Sequence, residues 1–198
     1  MRVHVVHAHP VETSYNRTLY NLVCETLAEA GHEVDGLSLY DDGFNAVLSR
    51  EERLGYHDAE TNVTDGIRPY VERLRAADAL VFVHPVWNYG YPAILKGYFD
   101  RIFLPGVTFT MSGGGDRGKL EPNLRNIRKV AFVATYGGTR WRSLVMGDPP
   151  RRLARRFAWA VFRGPRPPRY LALYDMNNNE APQLSAFMER LRTEMARF

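Results

Sequence analysis

Short apolar runs alternate with longer amphipathic stretches along the whole chain, and this pattern predicts strands alternating with helices. Five runs have the length of strands, at residues 3–8, 33–39, 80–84, 129–135 and 170–174. Apolar residues recur at helical spacing in the segments between them. Strands that alternate with helices predict a parallel sheet, and right-handed crossovers favour the doubly wound strand order 2-1-3-4-5. We therefore predict one α/β domain over residues 1–198 with helices on both faces of the sheet.

The central unit is a buried strand, an aromatic loop and a helix. Leu80–Val83 is continuously apolar, and Pro85 has no N–H to donate, so the strand is predicted to end at His84. Pro92 suits the first turn of the helix that follows. The loop at residues 86–91 carries three aromatic residues at the carboxyl end of a parallel strand, where open α/β sheets bind ligands. These aromatic residues either cap the core or form apolar walls for a flat, conjugated ligand.

The turn after the first strand has the chemistry of an anion site. It spans residues 9–16 and lacks both the Walker loop and the glycine-rich dinucleotide fingerprint. A helix N-terminus offers free N–H groups, Thr13 and Ser14 add hydroxyl donors, and His9 can add an imidazolium. Taken alone, Thr-Ser before a helix is more often a plain N-cap.

Two further segments are rich in glycine. Residues 135–139, Thr-Tyr-Gly-Gly-Thr, follow the fourth strand, where backbone N–H groups can point into the ligand crevice. Residues 112–118 predict a mobile loop, a close approach to a ligand or a plain surface hairpin.

Residues 88–103, Asn-Tyr-Gly-Tyr-Pro-Ala-Ile-Leu-Lys-Gly-Tyr-Phe-Asp-Arg-Ile-Phe, resemble the signature of the flavodoxin-like NAD(P)H:quinone oxidoreductases. The turn at 9–16 is similar to the family's phosphate turn, and residues 135–139 are similar to its Thr-Thr-Gly-Gly loop. The resemblance spans residues 1 to about 148, with the three motifs in the right order. It implies a flavodoxin-like fold and a bound flavin.

The resemblance also implies which residues bind the flavin. The turn would hold its phosphate and ribityl chain, the aromatic loop would border its isoalloxazine ring, and the glycine loop would bond its pyrimidine edge. The implied residues are His9, Thr13, Ser14, Tyr15, Asn16, Pro85, Val86, Trp87, Asn88, Tyr89, Thr135, Tyr136, Gly137 and Gly138. FMN is favoured over the alternative FAD, because the region between strands two and three is shorter here than in relatives where it contributes to an adenosine site.

The chain departs from the family at the substrate and catalytic positions. Two tyrosines that face substrate in known members align with Phe109 and Met111, which become the predicted substrate-binding residues. A further Tyr and His, which stabilise negative charge on the flavin, are replaced by Trp141 and Met146. Neither side chain can do that proton chemistry.

The predicted catalytic group is therefore Trp141 with its neighbours Arg140 and Arg142. We expect one of the two arginines to supply fixed positive charge, which requires no proton movement.

The composition shows a basic segment and argues against nucleic-acid binding, a disulfide and a metal site. The formal charge is +4, and residues 151–169 contain seven arginines and no acidic residue. This segment is either a solvated face or a docking patch for an anionic partner, a membrane surface or the phosphates of a pyridine nucleotide. No nucleic-acid-binding module accompanies the charge, so no nucleic acid is expected. Cys24 cannot form an internal disulfide, and His57 has no partner at metal-ligand spacing, so no metal site is predicted.

The first hypothesis is an enzyme that passes electrons from NAD(P)H to a quinone or a similar aromatic acceptor. The family resemblance implies a ping-pong cycle with hydride transfer through flavin N5, and a homodimer. The alternative is a flavin-binding regulatory subunit, similar to the ancillary proteins of bacterial potassium-efflux systems. A one-electron flavodoxin carrier is disfavoured by the type of phosphate turn and by the basic charge. The N-terminal run is too short and too rich in histidine for a secretory signal, so a cytoplasmic location is expected.

Overall fold

The computed structural model describes residues 1–112, 119–162 and 167–198. Most of the glycine-rich segment predicted at 112–118 lies outside the described residues. The same holds for residues 163–166, which include Arg163 and Arg166 of the predicted basic segment.

The elements alternate as predicted. The strands are β1 (Arg2–His7), β2 (Glu33–Ser38), β3 (Ala79–Val86), β4 (Phe109–Ser112), β5 (Lys119–Pro122), β6 (Lys129–Tyr136) and β7 (Arg169–Leu173). The helices are α1 (Tyr15–Glu29), α2 (Arg50–Gly55), α3 (Arg68–Ala76), α4 (Ala93–Ile102), α5 (Arg140–Val145), α6 (Pro149–Arg152), α7 (Ala158–Phe162) and α8 (Ala181–Ala196). A π-helical segment, Leu153–Phe157, joins α6 to α7, and a 3₁₀ turn spans Met176–Asn178.

Five strands form one parallel sheet in the order β2-β1-β3-β6-β7. This is the predicted doubly wound order, and the flavodoxin-like fold is confirmed. The remaining strands, β4 and β5, form a separate antiparallel pair that flanks the glycine-rich segment.

The sheet separates two hydrophobic cores. Leu80 and Phe82 of β3 face the core that α3, α4 and α7 cover, whereas Val81 and Val83 face the core under α1 and α8. Successive side chains of a strand point to opposite faces, so a strand between two cores must be apolar at every position. This explains the continuous apolar run of β3.

The prediction that β3 ends at His84 is wrong, since pairing with β6 continues through Pro85 to Val86. The Val83 carbonyl accepts a hydrogen bond from the Ala8 N–H, so Val83 directs its backbone groups toward β1. Pro85, two residues further on, directs its nitrogen to the same side, where β1 has already ended. The missing N–H therefore removes no bond from the sheet.

The boundaries of the other four sheet strands differ from the predicted ones by one residue at most. Helix α3 begins at Arg68. The N–H groups of Ile67 and Arg68 both donate to the Thr64 carbonyl in a turn that precedes the helix, and Pro69 lies in its first turn. Ser49 and Glu52 form a capping box at the start of α2. Within the described ranges, no helix is long and apolar enough to cross a bilayer.

Helix α4 contains a glycine that the packing requires. A Cβ built on Gly97 would lie 2.6 Å from Ala46 Cα, closer than real Cβ contacts allow. Exposed helical glycines usually gain stability on substitution by alanine, by about 1 kcal/mol. Here we expect the reverse, because the connection between β2 and α2 must move away from α4.

We predict that Gly97→Ala destabilises the protein by about 1–3 kcal/mol, the usual range for overpacking. Urea unfolding followed by circular dichroism measures this change. The matched control is Gly55→Ala in α2, where a Cβ would meet nothing within 4 Å. The control should be neutral or stabilising, and equal unfolding free energies for the two variants would contradict the packing argument.

Candidate functional site

Three loops meet at the carboxyl edge of the sheet, since they follow the neighbouring strands β1, β3 and β6. The His9 and Trp87 ring centroids are 5.8 Å apart, and Asn16 Nδ2 donates to Thr135 Oγ1 at 3.1 Å. The structure therefore brings together the turn, the aromatic loop and the glycine loop that were predicted separately. Strand order reverses between β1 and β3, and such switch points form ligand crevices in open α/β sheets.

The first loop caps α1 and leaves donors free. Ser14 Oγ accepts from the Arg17 N–H at 3.2 Å and donates to the Val11 carbonyl at 2.7 Å. The Ser14 hydroxyl is thus used within the loop, as a plain N-cap would be. The N–H groups of Tyr15 and Asn16 have no acceptor in the described part of the chain. They open a helix of 15 residues, whose dipole favours an anion at this end.

The charge of the His9 ring differs from the predicted one. Its Nδ1 accepts from the Val11 N–H at 3.1 Å, which places the ring proton on Nε2. Burial lowers the pKa of His9 below its ordinary value, so the ring is neutral at pH 7. His9 therefore offers a neutral N–H donor rather than the predicted imidazolium. Thr13 is exposed at the rim of the same loop.

Asn16 and Tyr15 point in different directions. Asn16 is 2% exposed, and its Oδ1 has no hydrogen-bond partner within 3.5 Å among the described residues, although the amide lies close enough to His7 to favour the protonated ring. A buried, unpaired acceptor beside a ligand crevice indicates a site for a donor group. The Tyr15 hydroxyl instead donates to the Leu184 carbonyl of α8 at 2.8 Å, and burial raises the pKa of Tyr15 to about 12. Tyr15 can thus contribute its backbone N–H, but not its hydroxyl, to a ligand site at this edge.

The aromatic loop is a tight, strained turn. Trp87 and Gly90 exchange two backbone hydrogen bonds, of 3.2 and 2.8 Å, and φ is 47° at Asn88 and 59° at Tyr89. A left-handed conformation costs a non-glycine residue about 1–2 kcal/mol. Strain of this kind concentrates at ligand-binding sites. Trp87 remains 41% exposed, and the preceding Pro85 and Val86 belong to β3.

The glycine loop presents backbone groups. No acceptor for the N–H groups of Gly137 and Gly138 lies within the described ranges. A Cβ on Gly137 would approach Asn177 Nδ2 to 3.1 Å, so this position is tight for any other residue. The Gly138 carbonyl accepts from the Asp175 N–H at 2.8 Å, which ties the loop to the segment after β7.

A buried network that the sequence analysis missed supports this loop. The Tyr136 hydroxyl donates to Asp148 Oδ1 at 2.6 Å, and the Tyr174 hydroxyl donates to Asp148 Oδ2 at 3.1 Å. The Tyr170 hydroxyl lies 2.6 Å from that of Tyr136. Burial raises the pKa of all three tyrosines. Tyr136 can therefore bind a ligand at this edge only through its backbone groups. The sequence feature that could have indicated the network is the placement of two tyrosines, Tyr136 and Tyr174, at the ends of adjacent strands.

The predicted substrate residues lie elsewhere. Phe109 lines an apolar cavity of about 620 Å³ between the β4–β5 pair, α4 and α7. None of the predicted flavin-binding residues lines this cavity, although Tyr91, which follows the aromatic loop, does. Met111 is 45% exposed and does not line it. Phe109 and Met111 therefore share neither described cavity with the predicted flavin-binding residues.

The predicted catalytic group is spread along α5. Arg140 lines a second, basic cavity of about 590 Å³, whereas Arg142 and Trp141 line neither cavity. Trp141 is 71% exposed, and Met146 is 54% exposed. In the described part of the chain, no cluster of three or more His, Cys, Asp or Glu side chains could hold a metal ion.

Comparison with known proteins gives a matching family and several similar proteins. The chain matches the family described as Flavodoxin-like fold over residues 1–195, further than the resemblance extended. It is 31% identical over 146 residues to the uncharacterized NAD(P)H oxidoreductase YcaK of Escherichia coli (strain K12), covering 74% of this chain and 69% of that protein. It is 33% identical over 117 residues to the FMN-dependent NADH:quinone oxidoreductase of Lachnoclostridium phytofermentans, covering 59% of this chain and 57% of that one.

Among solved structures, the NAD(P)H:quinone oxidoreductase from Methanothermobacter marburgensis superposes with a TM-score of 0.85. The two chains are 24% identical, and the match covers 99% of this chain and 98% of the other, which shows a shared fold. The chain spans from 54% to 74% of the length of curated relatives that it matches.

Two buried histidines lie close to the strand ends. His7 and His84 are both 0% exposed, and Nε2 of each has no hydrogen-bond partner among the described residues. Burial lowers the pKa of each to about 4. Both are therefore neutral in the folded protein at pH 7, whereas in the unfolded chain they titrate near the ordinary value of about 6.5.

We predict that stability is full above pH 6.5 and is lost as the pH falls toward 4, because between these values the unfolded chain binds more protons. Each histidine contributes about 3 kcal/mol to this loss. His84→Phe should reduce the loss by about 3 kcal/mol, measured as the difference in unfolding free energy between pH 7.5 and 4.5. The exposed His57 gives the control, since His57→Gln should keep the full loss. An unchanged loss in His84→Phe would show that His84 is not held neutral.

Proposed function

Since the chain belongs to the family of flavodoxin-like fold proteins, we propose that it is a flavin-dependent enzyme that transfers electrons from NAD(P)H to a quinone or a similar aromatic acceptor. The predicted family and oxidoreductase class are confirmed by the family match and by the relatives' names. The observation that carries the proposal is the convergence of three loops at one sheet edge, two of which, the turn and the glycine loop, have N–H groups that lack an acceptor in the described part of the chain.

The residues at this edge fit a flavin. Free N–H groups at Tyr15 and Asn16, on a helix N-terminus, suit a phosphate. The unpaired Oδ1 of Asn16 suits the hydroxyl donors of a ribityl chain. The N–H groups of Gly137 and Gly138 suit the carbonyl and nitrogen acceptors of a pyrimidine ring, and Trp87 offers an apolar wall.

FMN is the proposed cofactor, in preference to FAD. A relative named as FMN-dependent supports this choice. A bound flavin supplies hydride acceptance at N5 and two-electron reduction of an acceptor in a ping-pong cycle. The chain's own residues then need only bind, orient and supply charge. Arg140 or Arg142 is the proposed source of fixed positive charge near the pyrimidine edge, because both follow Gly138 on α5.

We further propose that residues 1–198 form one domain and that two copies pair in the cytoplasm. Helix α5 and the residue that follows it carry four exposed apolar side chains, which favours a protein partner over solvent: Trp141, Leu144, Val145 and Met146. A partner could also bring Phe109 and Met111 to the flavin edge.

A second candidate is a flavin-binding regulatory subunit of a membrane transport system. The observation that favours it is the exposure of Arg152, Arg155 and Arg156, which could form a docking surface. This candidate shares the flavin with the enzyme and differs from it in not requiring reduction by a pyridine nucleotide.

The absorption spectrum of the purified protein tests the proposal. We expect a flavin band that bleaches on anaerobic addition of NADPH or NADH and returns when a quinone is added. A bound flavin that responds to neither nucleotide would contradict the enzyme and favour the regulatory subunit. A protein that binds no flavin when supplied with FMN or FAD would contradict both.

The charge proposal has its own test in the flavin midpoint potential. Removing fixed positive charge destabilises the anionic reduced flavin, so Arg140→Ala or Arg142→Ala should lower the midpoint potential. A loss of about 0.5–1.4 kcal/mol corresponds to about 10–30 mV for a two-electron couple. Arg192→Ala, on the exposed side of α8, is the control and should leave the potential unchanged. If both α5 variants keep the original potential, neither arginine has the proposed role.

A further inference from the structure

The second cavity, of about 590 Å³, is lined by five arginine side chains that lie between residues 140 and 156. It lies between α5, α6, the π-helical segment and the end of β7. Its arginines are Arg140, Arg151, Arg152, Arg155 and Arg156. Trp159 and Tyr174 also line it, and Trp159 is 51% exposed. We call this the arginine cavity.

The arginines of this cavity lack counter-ions. Within the described ranges, no carboxylate lies within 4.0 Å of any of their guanidinium groups. Asp148 also lines the cavity, but its two oxygens accept the hydroxyls of Tyr136 and Tyr174. Arg151 donates to the Tyr174 hydroxyl at 3.5 Å, which is a neutral partner. Like charges held together without compensation favour a polyanionic ligand.

Single arginines without an ion pair among the described residues also occur elsewhere, for example Arg50, Arg125 and Arg192, but the arginine cavity gathers five of them. Elsewhere Arg17 pairs with Asp41 at 2.6 Å, and Arg73 pairs with Asp35 at 2.7 Å. Arg101 pairs with the nearly buried Glu52 at 2.5 Å. The chain thus supplies acidic partners for arginines that organise the fold, and supplies none within reach for those that line the arginine cavity.

The shape of the cavity narrows the ligand to a small molecule. Small-molecule sites are concave and of about 300–1,000 Å³, whereas a membrane surface needs a flat or convex basic face. Guanidinium groups bind phosphate oxygens in a two-pronged geometry, and an exposed indole offers a stacking face for a base. Phosphates combined with an aromatic base describe a nucleotide.

We propose that the arginine cavity binds the adenosine end of NADPH, with its 2′-phosphate and diphosphate on the arginines. Arg140 lies two residues after Gly138, so the cavity adjoins the loop at the candidate flavin edge. The inference rests on the proposed function, because it assigns the nucleotide half of the same co-substrate. It also implies that the enzyme prefers NADPH to NADH, since the 2′-phosphate is the group that the two do not share.

The test uses 2′,5′-ADP, which carries the adenosine and two phosphates but no nicotinamide. Isothermal titration of the flavin-loaded protein should show binding that weakens with added salt. The double variant Arg152→Gln/Arg155→Gln should bind it at least tenfold more weakly, the loss expected for charge-assisted hydrogen bonds to phosphate. Arg192→Gln is the control, because Arg192 is exposed on α8 and lies outside the cavity. Wild type should bind 5′-AMP more weakly than 2′,5′-ADP.

Three results would overturn the inference. They are no binding of 2′,5′-ADP, equal binding by wild type and the double variant, and equal binding of 2′,5′-ADP and 5′-AMP by wild type. Co-sedimentation with phosphatidylglycerol vesicles that the double variant loses, without 2′,5′-ADP binding, would assign the arginines to a membrane surface instead.

The two proposals fail separately. Bleaching of the flavin by NADH and NADPH alike, without 2′,5′-ADP binding, would overturn the arginine-cavity proposal and leave the enzyme intact. Binding of 2′,5′-ADP by a protein whose flavin neither nucleotide reduces would support the cavity as a nucleotide site while overturning the proposed enzyme.

Discussion

The parallel pairing of β3 with both β1 and β6 is the constraint on which the rest of the structure depends. Parallel strands place their carboxyl ends at one edge, so the three loops that follow them must meet there whatever their sequences are. The pairing is possible because helices cover both faces, which lets β3 be apolar at nearly every position. Register completes the arrangement, since Val86 of β3 lies beside Tyr136 of β6, immediately before their loops.

At that edge the groups that we propose to bind the flavin belong mainly to the backbone. Ser14 uses its hydroxyl to cap α1, Tyr15 bonds α8, and Tyr136 bonds Asp148. In the described part of the chain, the N–H groups that lack an acceptor include those at the helix start and in the glycine loop. Backbone donors are fixed by the fold and cost little reordering when a ligand binds. The left-handed Asn88 and Tyr89 are consistent with this arrangement, because strain is tolerated where it positions groups for binding.

Much of this arrangement could be predicted from the sequence, since it follows from periodicity and order. Apolar runs located the strands, and their alternation with helices gave the sheet order and the edge at which the loops meet. The directions of individual side chains could not be predicted. The Tyr15 side chain points to α8 and the Tyr136 side chain points to Asp148, and both directions depend on tertiary packing. The neutral state of His9 depends on burial and on the hydrogen bond from the Val11 N–H. Pro85 misled the prediction because a local rule cannot tell on which side a neighbouring strand has ended.

The network around Asp148 connects the two halves of the proposed site. Tyr136 belongs to the glycine loop, whereas Asp148 and Tyr174 line the arginine cavity, so one carboxylate bonds groups from both places. Each of its oxygens accepts one hydroxyl, at distances of 2.6 and 3.1 Å, and within the described ranges neither oxygen forms an ion pair with the arginines beside it. The carboxylate thus ties the glycine loop to the segment after β7. The same group therefore holds the glycine loop in place and leaves the five arginines of the cavity without an ion pair, as the proposed nucleotide site requires.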